Sequence, residues 1–280
     1  FDSRQTFEDD EIDLFWQLAR GVVPTLYRTR GTTRPLPFVE DIAVPPEALG
    51  KFLVQVQNVL KRHQVTAPLF AHAGHGQLHL RPFLDIENPN DVRTMQGLAE
   101  DLYEQVLAVG GTISGEHADG LSRAPFVARQ YGDLYPVFRE VKRIFDPQYI
   151  LNPGKKLGDT PDSLTRHLRP TAPAAASEID AEAADNDVPQ TPLVALQLNW
   201  SLDELADAAG QCNGCGACRS QAPSVRMCPI FRIAPAEEAS PRAKANMMRA
   251  VVTGQLDPTT LARDDFKQVA DLCVNCQMCR

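Results

Sequence analysis

The sequence predicts an α+β domain followed by a smaller, mostly helical one. Three observations carry that prediction. Apolar residues alternate between helical and strand periods through the first half of the chain. A stretch rich in Pro, Ala and acidic residues interrupts both periods over 158–195. All seven cysteines of the 280-residue chain fall after residue 210. The expected domains are therefore 1–157 and 196–280, joined by a Pro/Ala/acidic linker at 158–195 whose flexible span is about 30–35 Å.

The elements follow in order. Glu8 to Leu18 reads as a helix with its acidic residues in the first turn, where they complement the helix dipole. A loop with Arg28, Arg30 and Arg34 comes next. It is either a solvated loop or the place where an arginine grips a carboxylate, for which the guanidinium fork is well shaped. Leu36 to Val44 reads as a strand ending at Pro45-Pro46. Residues 46–63 carry Leu49, Phe52, Leu53, Val56, Val59 and Leu60 at helical spacing. A hairpin over 67–84 follows, then a helix over 91–109 closed by Gly110-Gly111. Thr112 to His117 reads as a short strand, and Leu134 to Phe145 as another helix. Asp146-Pro147 through Asn152-Pro153-Gly154 breaks regular structure. Strand, helix, strand, strand, helix, strand is the split-βαβ, ferredoxin-like pattern. It predicts one antiparallel sheet with helices on one face.

The hairpin holds His72-Ala-Gly-His75-Gly-Gln-Leu-His79. With His75-Gly76 as the loop, His72 and His79 stand directly opposite each other, their Cβ atoms about 4.5–5.5 Å apart. That is close enough for two imidazoles to share a metal. A buried histidine is also an ordinary core residue, and both readings stay open on the pattern alone.

In the second domain, Ser201 is placed to cap a helix from Leu202, and Ser240-Pro241 opens another to about Thr253. A further helix from Leu261 leads into the last cysteines. Cys212-x2-Cys215-x2-Cys218 is followed by Cys228-Pro229, and then Cys273-x2-Cys276-x2-Cys279. Zinc sites usually take paired CxxC units. Two CxxCxxC triplets fit [4Fe-4S] clusters better, which makes this a two-cluster ferredoxin domain. In two-cluster ferredoxins the fourth cysteine of a run ligates the other cluster. On that rule Cys228 joins Cys273, Cys276 and Cys279. Cys212, Cys215 and Cys218 then need a cysteine beyond Arg280. The chain opens on Phe1 and stops inside a cysteine motif, which gives the expectation of a piece of a longer protein.

The totals exclude some functions. A net charge of -8 argues against a nucleic-acid partner. No apolar run approaches the roughly 20 residues of a membrane span, and no signal peptide opens the chain. The expected location is the cytoplasm, with peripheral attachment at the inner face of a membrane as an alternative.

His72-Ala-Gly-His-Gly-Gln-Leu-His79, Gly115-Glu116-His117-Ala118-Asp119-Gly120, and Asp146-Pro147 with Leu151-Asn152-Pro153-Gly154-Lys155 together resemble the C-terminal part of FAD-linked oxidases of the vanillyl-alcohol-oxidase type. These are the D-lactate, glycolate and D-2-hydroxyglutarate dehydrogenases, and the resemblance covers roughly residues 10–157. Residues 210–280 resemble the α-helical ferredoxin domain fused behind some members.

The resemblance implies a flavin-dependent 2-hydroxyacid dehydrogenase that passes electrons from FAD into the clusters. It makes His72, His79 and Glu116 ligands of a divalent metal, usually zinc, and His117 the base. One or more of Arg28, Arg30 and Arg34 would hold the substrate carboxylate, and Asn152 would lie toward the cofactor. It implies a small 2-hydroxyacid substrate and an acceptor such as a quinone or cytochrome. It also implies an N-terminal FAD domain and a C-terminal cysteine-rich region that this sequence lacks, so weak or no FAD binding is expected of the chain alone.

Three departures stand out. His75 replaces a frequent Asp, Arg81 an Asn that contacts substrate in some relatives, and Ala118 a common Gly, the last expected to be minor. His75, at the turn tip, is expected to be exposed. The alternative function is an electron-transfer or docking module with no substrate site of its own. Converging metal ligands would discriminate against it.

Overall fold

The computed structural model describes residues 3–27, 31–158, 160–169, 200–222 and 227–279. Thr25–Arg169 form one compact unit, and the described residues of 1–24 and 170–280 another. The architecture is α+β.

The chain begins with α1 (Asp9–Leu26), which runs past the expected end and carries Pro24 within it. The expected 36–44 strand is replaced by two short ones, β1 (Arg34–Pro35) and β2 (Ile42–Ala43), with a turn between. Pro35 still pairs with Phe83, but Pro37 has no N–H to give a ladder, so extended pairing cannot run on through it. Phe38 and Val39 are nevertheless buried in the turn. Next come α2 (Leu49–Arg62), β3 (Leu69–His72), β4 (Gln77–Leu80), β5 (Phe83–Leu84) and α3 (Pro89–Ala108). The Asn88 side chain caps α3 by accepting from the Asn90 N–H at 2.9 Å. α4 (Ala124–Tyr131), which periodicity did not reveal, precedes α5 (Tyr135–Phe145). α5 buries none of its residues, leaving Val137, Val141 and Ile144 exposed.

Among the described residues there are two sheets, not one. β1 pairs with β5, and a second sheet has the order β2-β4-β3, every pairing antiparallel. A single antiparallel bridge joins Ala43 to Thr112 at the outer side of β2. The strand expected over 112–117 shrinks to that bridge. Its later N–H groups, from Gly115 to His117, turn to the side chain of Asp41 instead of a neighbouring strand.

The core lies between this sheet and α2 and α3. Phe52, Val56 and Val59 from α2 meet Leu98, Leu102 and Val106 from α3 over Ile42, Leu78 and Leu80. Tyr103 reaches across to donate to the Phe38 carbonyl at 2.9 Å. Of the 158–195 segment, residues 161–164 form a short 3-10 turn whose Leu164 is buried in this core. Residues 170–195, the greater part of the expected linker, lie outside the described residues.

The other unit contains α6 (Leu202–Gly210), α7 (Pro229–Ile233), α8 (Pro241–Val252) and α9 (Asp264–Asp271). Ser201 caps α6 with a full capping box to Glu204. Among the described residues no helix is long and apolar enough to cross a membrane.

Candidate functional site

The register of the histidine hairpin differs from expectation. Phe70 pairs with His79 and His72 with Gln77, so the loop is Ala73–Gly76 rather than His75-Gly76. A 3-10 turn over Ala73–His75 takes up the additional residues, and Gly76 closes it at φ 67. Gly76 is required there, because a Cβ on it would lie 1.8 Å from the Val44 carbonyl oxygen. His72 and His79 are thus diagonal neighbours on one face rather than directly opposite. Diagonal pairs still touch when the side chains are long. The two imidazole centroids are 5.1 Å apart, edge to face; the Phe70 ring meets that of His72 edge to face and stacks on that of His79. His75 is exposed at the turn, as expected.

The segment 114–117 delivers the remaining groups. His79 Nε2 lies 3.4 Å from Glu116 Oε1, and His117 Nε2 lies 3.5 Å from the same oxygen. The imidazoles of His79 and His117 stack at 5.3 Å. Ligand atoms of Asp41, His79, Glu116 and His117 all fall within 4.8 Å of one another. Donors around a tetrahedral zinc with bonds of about 2.1 Å sit roughly 3.4 Å apart, so the His79–Glu116 spacing suits such an ion. Burial holds the His79 imidazole below its ordinary value. Glu40 and Glu116 oppose that shift, while His117 and His72 reinforce it. A neutral imidazole is the form that ligates metal.

Asp41 is in the group by distance but not by chemistry. Its carboxylate is fully buried and already accepts five hydrogen bonds. They come from Gln77 Nε2 at 2.7 Å, Ser114 Oγ at 2.8 Å, and the N–H groups of Gly115 at 3.0 Å, Glu116 at 2.8 Å and His117 at 2.8 Å. A carboxylate has about four lone-pair sites, so none remains for a metal. Burial alone would raise this carboxyl, but the Glu116 and His117 N–H groups and the Ser114 hydroxyl outweigh it and hold it below the usual range. Asp41 fastens the Glu116-His117 segment to the hairpin and sets where both side chains emerge. Residue 41 takes a left-handed φ of 71 to do so.

Glu40, next to it, is buried as well. Its Oε1 is 3.1 Å from His117 Nδ1 and its Oε2 2.5 Å from Arg81 Nη2. Arg123 donates to the Glu40 carbonyl and, at 3.0 Å, to that of Ala118. Arg81 is therefore held by Glu40. Ala118 occupies φ 64, a left-handed conformation that favours Gly, so its replacement of Gly is not minor but strains the turn after His117.

Sequence reasoning missed both Glu40 and Asp41. Two adjacent carboxylates between the apolar runs Phe38-Val39 and Ile42-Ala43-Val44 were the available signal.

Of the other expected residues, Arg30 lies outside the described residues. Arg34 Nη1 donates to the Gly31 carbonyl and, at 3.3 Å, to that of Thr33. Asn152 has φ 49 and accepts from Lys155 Nζ at 3.4 Å. Its segment is tied down by Asp146, which accepts from the N–H groups of Ile150 and Leu151 at 2.9 Å each and pairs with Lys142 at 2.5 Å.

In the other unit the seven cysteines are all unbridged thiols. Burial raises the Cys279 thiol, and Cys276, Cys228 and Cys273 add to the rise. The thiol expected to join the second triplet from a distance is thus among its neighbours. Arg242, raised chiefly by its bond to Glu237, also feels Cys218 and Cys212 of the first triplet.

The chain thus carries two donor sets, clustered His and Glu in an α+β unit and two cysteine triplets in a helical one, the residue types of a metal site and of iron–sulfur ligation. The chain belongs to the family of FAD linked oxidases, C-terminal domain, matched over residues 3–156, and residues 174–280 match the 4Fe-4S dicluster domain. It is 32% identical to a D-2-hydroxyglutarate dehydrogenase of Pseudomonas putida over 227 residues, covering 81% of this chain and 21% of the relative. With the Escherichia coli D-2-hydroxyglutarate dehydrogenase it shares 30% identity over 239 residues, 85% of this chain and 22% of the relative. Glycolate oxidase subunit GlcD of Bacillus subtilis is 28% identical over 148 residues, 52% of this chain and 31% of that one. The chain spans about a fifth of the length of the D-2-hydroxyglutarate dehydrogenases it matches.

Proposed function

We propose that this chain is the substrate and electron-exit part of a flavin-dependent 2-hydroxyacid dehydrogenase. The observation that carries the proposal is the meeting of His79, Glu116 and His117 beside His72 on a floor built by buried Asp41. A divalent metal held by His72, His79 and Glu116 would polarise the substrate hydroxyl and lower its pKa.

His117 Nε2 takes the hydroxyl proton as the Cα–H electron pair leaves, and the alcohol becomes the 2-oxo acid. Phe70 packs against the rings of His72 and His79. Asp41 keeps Glu116 and His117 in register through the reaction. Arg34, together with Arg30, is assigned to the substrate carboxylate. A bound FAD would receive the hydride. Nothing in the described residues forms a glycine-rich phosphate cradle, so the flavin is assigned to another part of the protein, with Asn152 toward it.

Cys228, Cys273, Cys276 and Cys279 would hold one [4Fe-4S] cluster, and Cys212, Cys215 and Cys218 would supply three ligands to another. Such clusters would supply single-electron exit from the flavin toward an acceptor such as a quinone or cytochrome. The strand order β2-β4-β3, with Thr112 bridged outside β2, supports a ferredoxin-like split-βαβ origin for the sheet. We also retain domains at 1–157 and 196–280, and a location in the cytoplasm or at the inner face of a membrane.

The relatives that cover most of this chain are D-2-hydroxyglutarate dehydrogenases, which puts a dicarboxylate hydroxy acid first in any screen. The test is oxidation of D- and L-2-hydroxy acids by the full-length protein with a dye acceptor. Turnover of one D-acid, lost in His117→Ala, is expected. No turnover with any 2-hydroxy acid would sink the proposal. Zinc that binds the wild-type chain but not His79→Ala separates this reading from a docking module, which has no need of converging ligands.

A further inference from the structure

Glu40 lies outside the set of ligands and base, yet it is the buried group in contact with the base. Its two carboxylate oxygens face different partners. Oε2 meets Arg81 Nη2 at 2.5 Å, and Oε1 meets His117 Nδ1 at 3.1 Å. Its side chain is 9% exposed and that of Arg81 16%, so neither partner is easily exchanged for water. Tyr27, whose hydroxyl donates to the Pro35 carbonyl at 3.2 Å, lies close enough to feel both charges. From behind, Arg123 grips the Glu40 carbonyl oxygen, which fixes the backbone from which the carboxylate projects.

A carboxylate paired with a guanidinium is an acceptor at both oxygens. The ring nitrogen facing it must then donate. With the proton on Nδ1, the Nε2 lone pair is left pointing at Glu116 Oε1, 3.5 Å away, the same oxygen that lies 3.4 Å from His79 Nε2. A lone pair and a carboxylate oxygen so placed repel unless a cation or a donated proton lies between them. The substrate hydroxyl proton, or a metal, supplies that bridge.

We infer that Glu40, held by Arg81, is the positioning residue that fixes His117 in the tautomer with its proton on Nδ1 and its Nε2 lone pair directed into the site. This rests on the role proposed above for His117. It also gives Arg81 a role: its guanidinium, 2.5 Å from Glu40 Oε2, keeps that carboxylate aimed, rather than gripping substrate directly. Carboxylates that orient a functional imidazole through its second nitrogen typically matter by about tenfold to a hundredfold.

Two measurements test it. The first needs neither flavin nor substrate. The 280-residue chain, labelled with 15N at its six histidines and loaded with Zn2+, is examined by long-range 1H–15N correlation at about pH 8.5, two units above the ordinary imidazole value. His117, assigned by its loss in His117→Ala, is expected to carry its proton on Nδ1. In Glu40→Leu it is expected to populate the Nε2–H form. A wild-type His117 protonated on Nε2, or no change in Glu40→Leu, overturns the inference.

The second is steady-state kinetics on the full-length protein. Glu40→Leu is expected to lower kcat about tenfold to a hundredfold, with KM within about twofold and zinc content unchanged. A kcat equal to wild type overturns it. Should Glu40→Leu fail to fold, Glu40→Gln keeps the volume and removes the charge, and a kcat loss of about fivefold or more is expected. A wild-type protein that oxidises no 2-hydroxy acid would count against the proposed function, and the tautomer measurement alone would then decide the part played by Glu40.

Discussion

The two candidate sites are built on opposite plans. In Thr25–Arg169 the histidine hairpin and the Glu116-His117 segment are fastened to a core of large apolar side chains, and one buried carboxylate, Asp41, receives five hydrogen bonds to hold them. In the cysteine unit Cys215, Cys273, Cys276 and Cys279 are exposed, on turns between short helices. The buried apolar residues described there are few and mostly small: Ala206, Ala209, Phe231, Ala239, Val251 and Val252. The first site is made by the fold. The second has too little apolar core to be made that way, and its clusters must supply much of the folding energy themselves, as metals do in small domains.

The largest expected effect follows directly. Removing iron and sulfide from the chain should abolish the protection of residues 200–279 in hydrogen exchange while leaving β2, β4, α2 and α3 protected. Equal loss in both regions would break the contrast.

Next in size, Asp41→Ala should destabilise the α+β unit by about 3 kcal/mol or more, since it strands several buried donors at once. Zinc binding should fall with it, read by denaturation and metal analysis on the same sample. Retained zinc at wild-type affinity would mean that the Glu116-His117 segment does not depend on its anchor.

Smaller again, Ser201→Ala removes the capping box of α6 and should cost about 1 kcal/mol in the cysteine unit, measured in the cluster-loaded protein. The same loss in cluster-free protein should be invisible, because there is no cooperative fold left to weaken.

The smallest effect runs the other way. Ala118→Gly relieves a left-handed alanine worth about 1–2 kcal/mol of strain, offset by the greater freedom of unfolded glycine, about 0.4–1 kcal/mol. A net gain of roughly 0.5–1 kcal/mol is expected, a rise of a few degrees in Tm for a unit of this size. A lower Tm would show that the turn is not strained.

Much of the α+β unit was legible because helical periodicity survives in one dimension. Leu49 to Leu60 and the 91–109 segment emerge as α2 and α3, as their apolar spacing implied. The 36–44 strand did not emerge in one piece, because Pro37 removes a donor that only the ladder would need. The hairpin register was misplaced by the loop, since a 3-10 turn and a two-residue turn share the same glycine. α4 was hidden behind Arg123-Ala124-Pro125, where a proline in the first turn reads as a break unless the helix after it is known.

The sequence by itself singled out the candidate side chains for the chemistry. His72, His79, Glu116 and His117, and the two cysteine triplets, stand out because their residue types are costly to cluster without a use. Only the tertiary structure decided how they meet. It made the two outer histidines diagonal neighbours and brought Cys228 into the surroundings of Cys279. It also showed that Glu40 and Asp41, unremarked in one dimension, contact His117 and hold its segment. The physical reason is reach. Periodicity reports which face a residue takes within its own element, whereas a buried carboxylate is defined by donors that lie some 36 to 77 residues away along the chain.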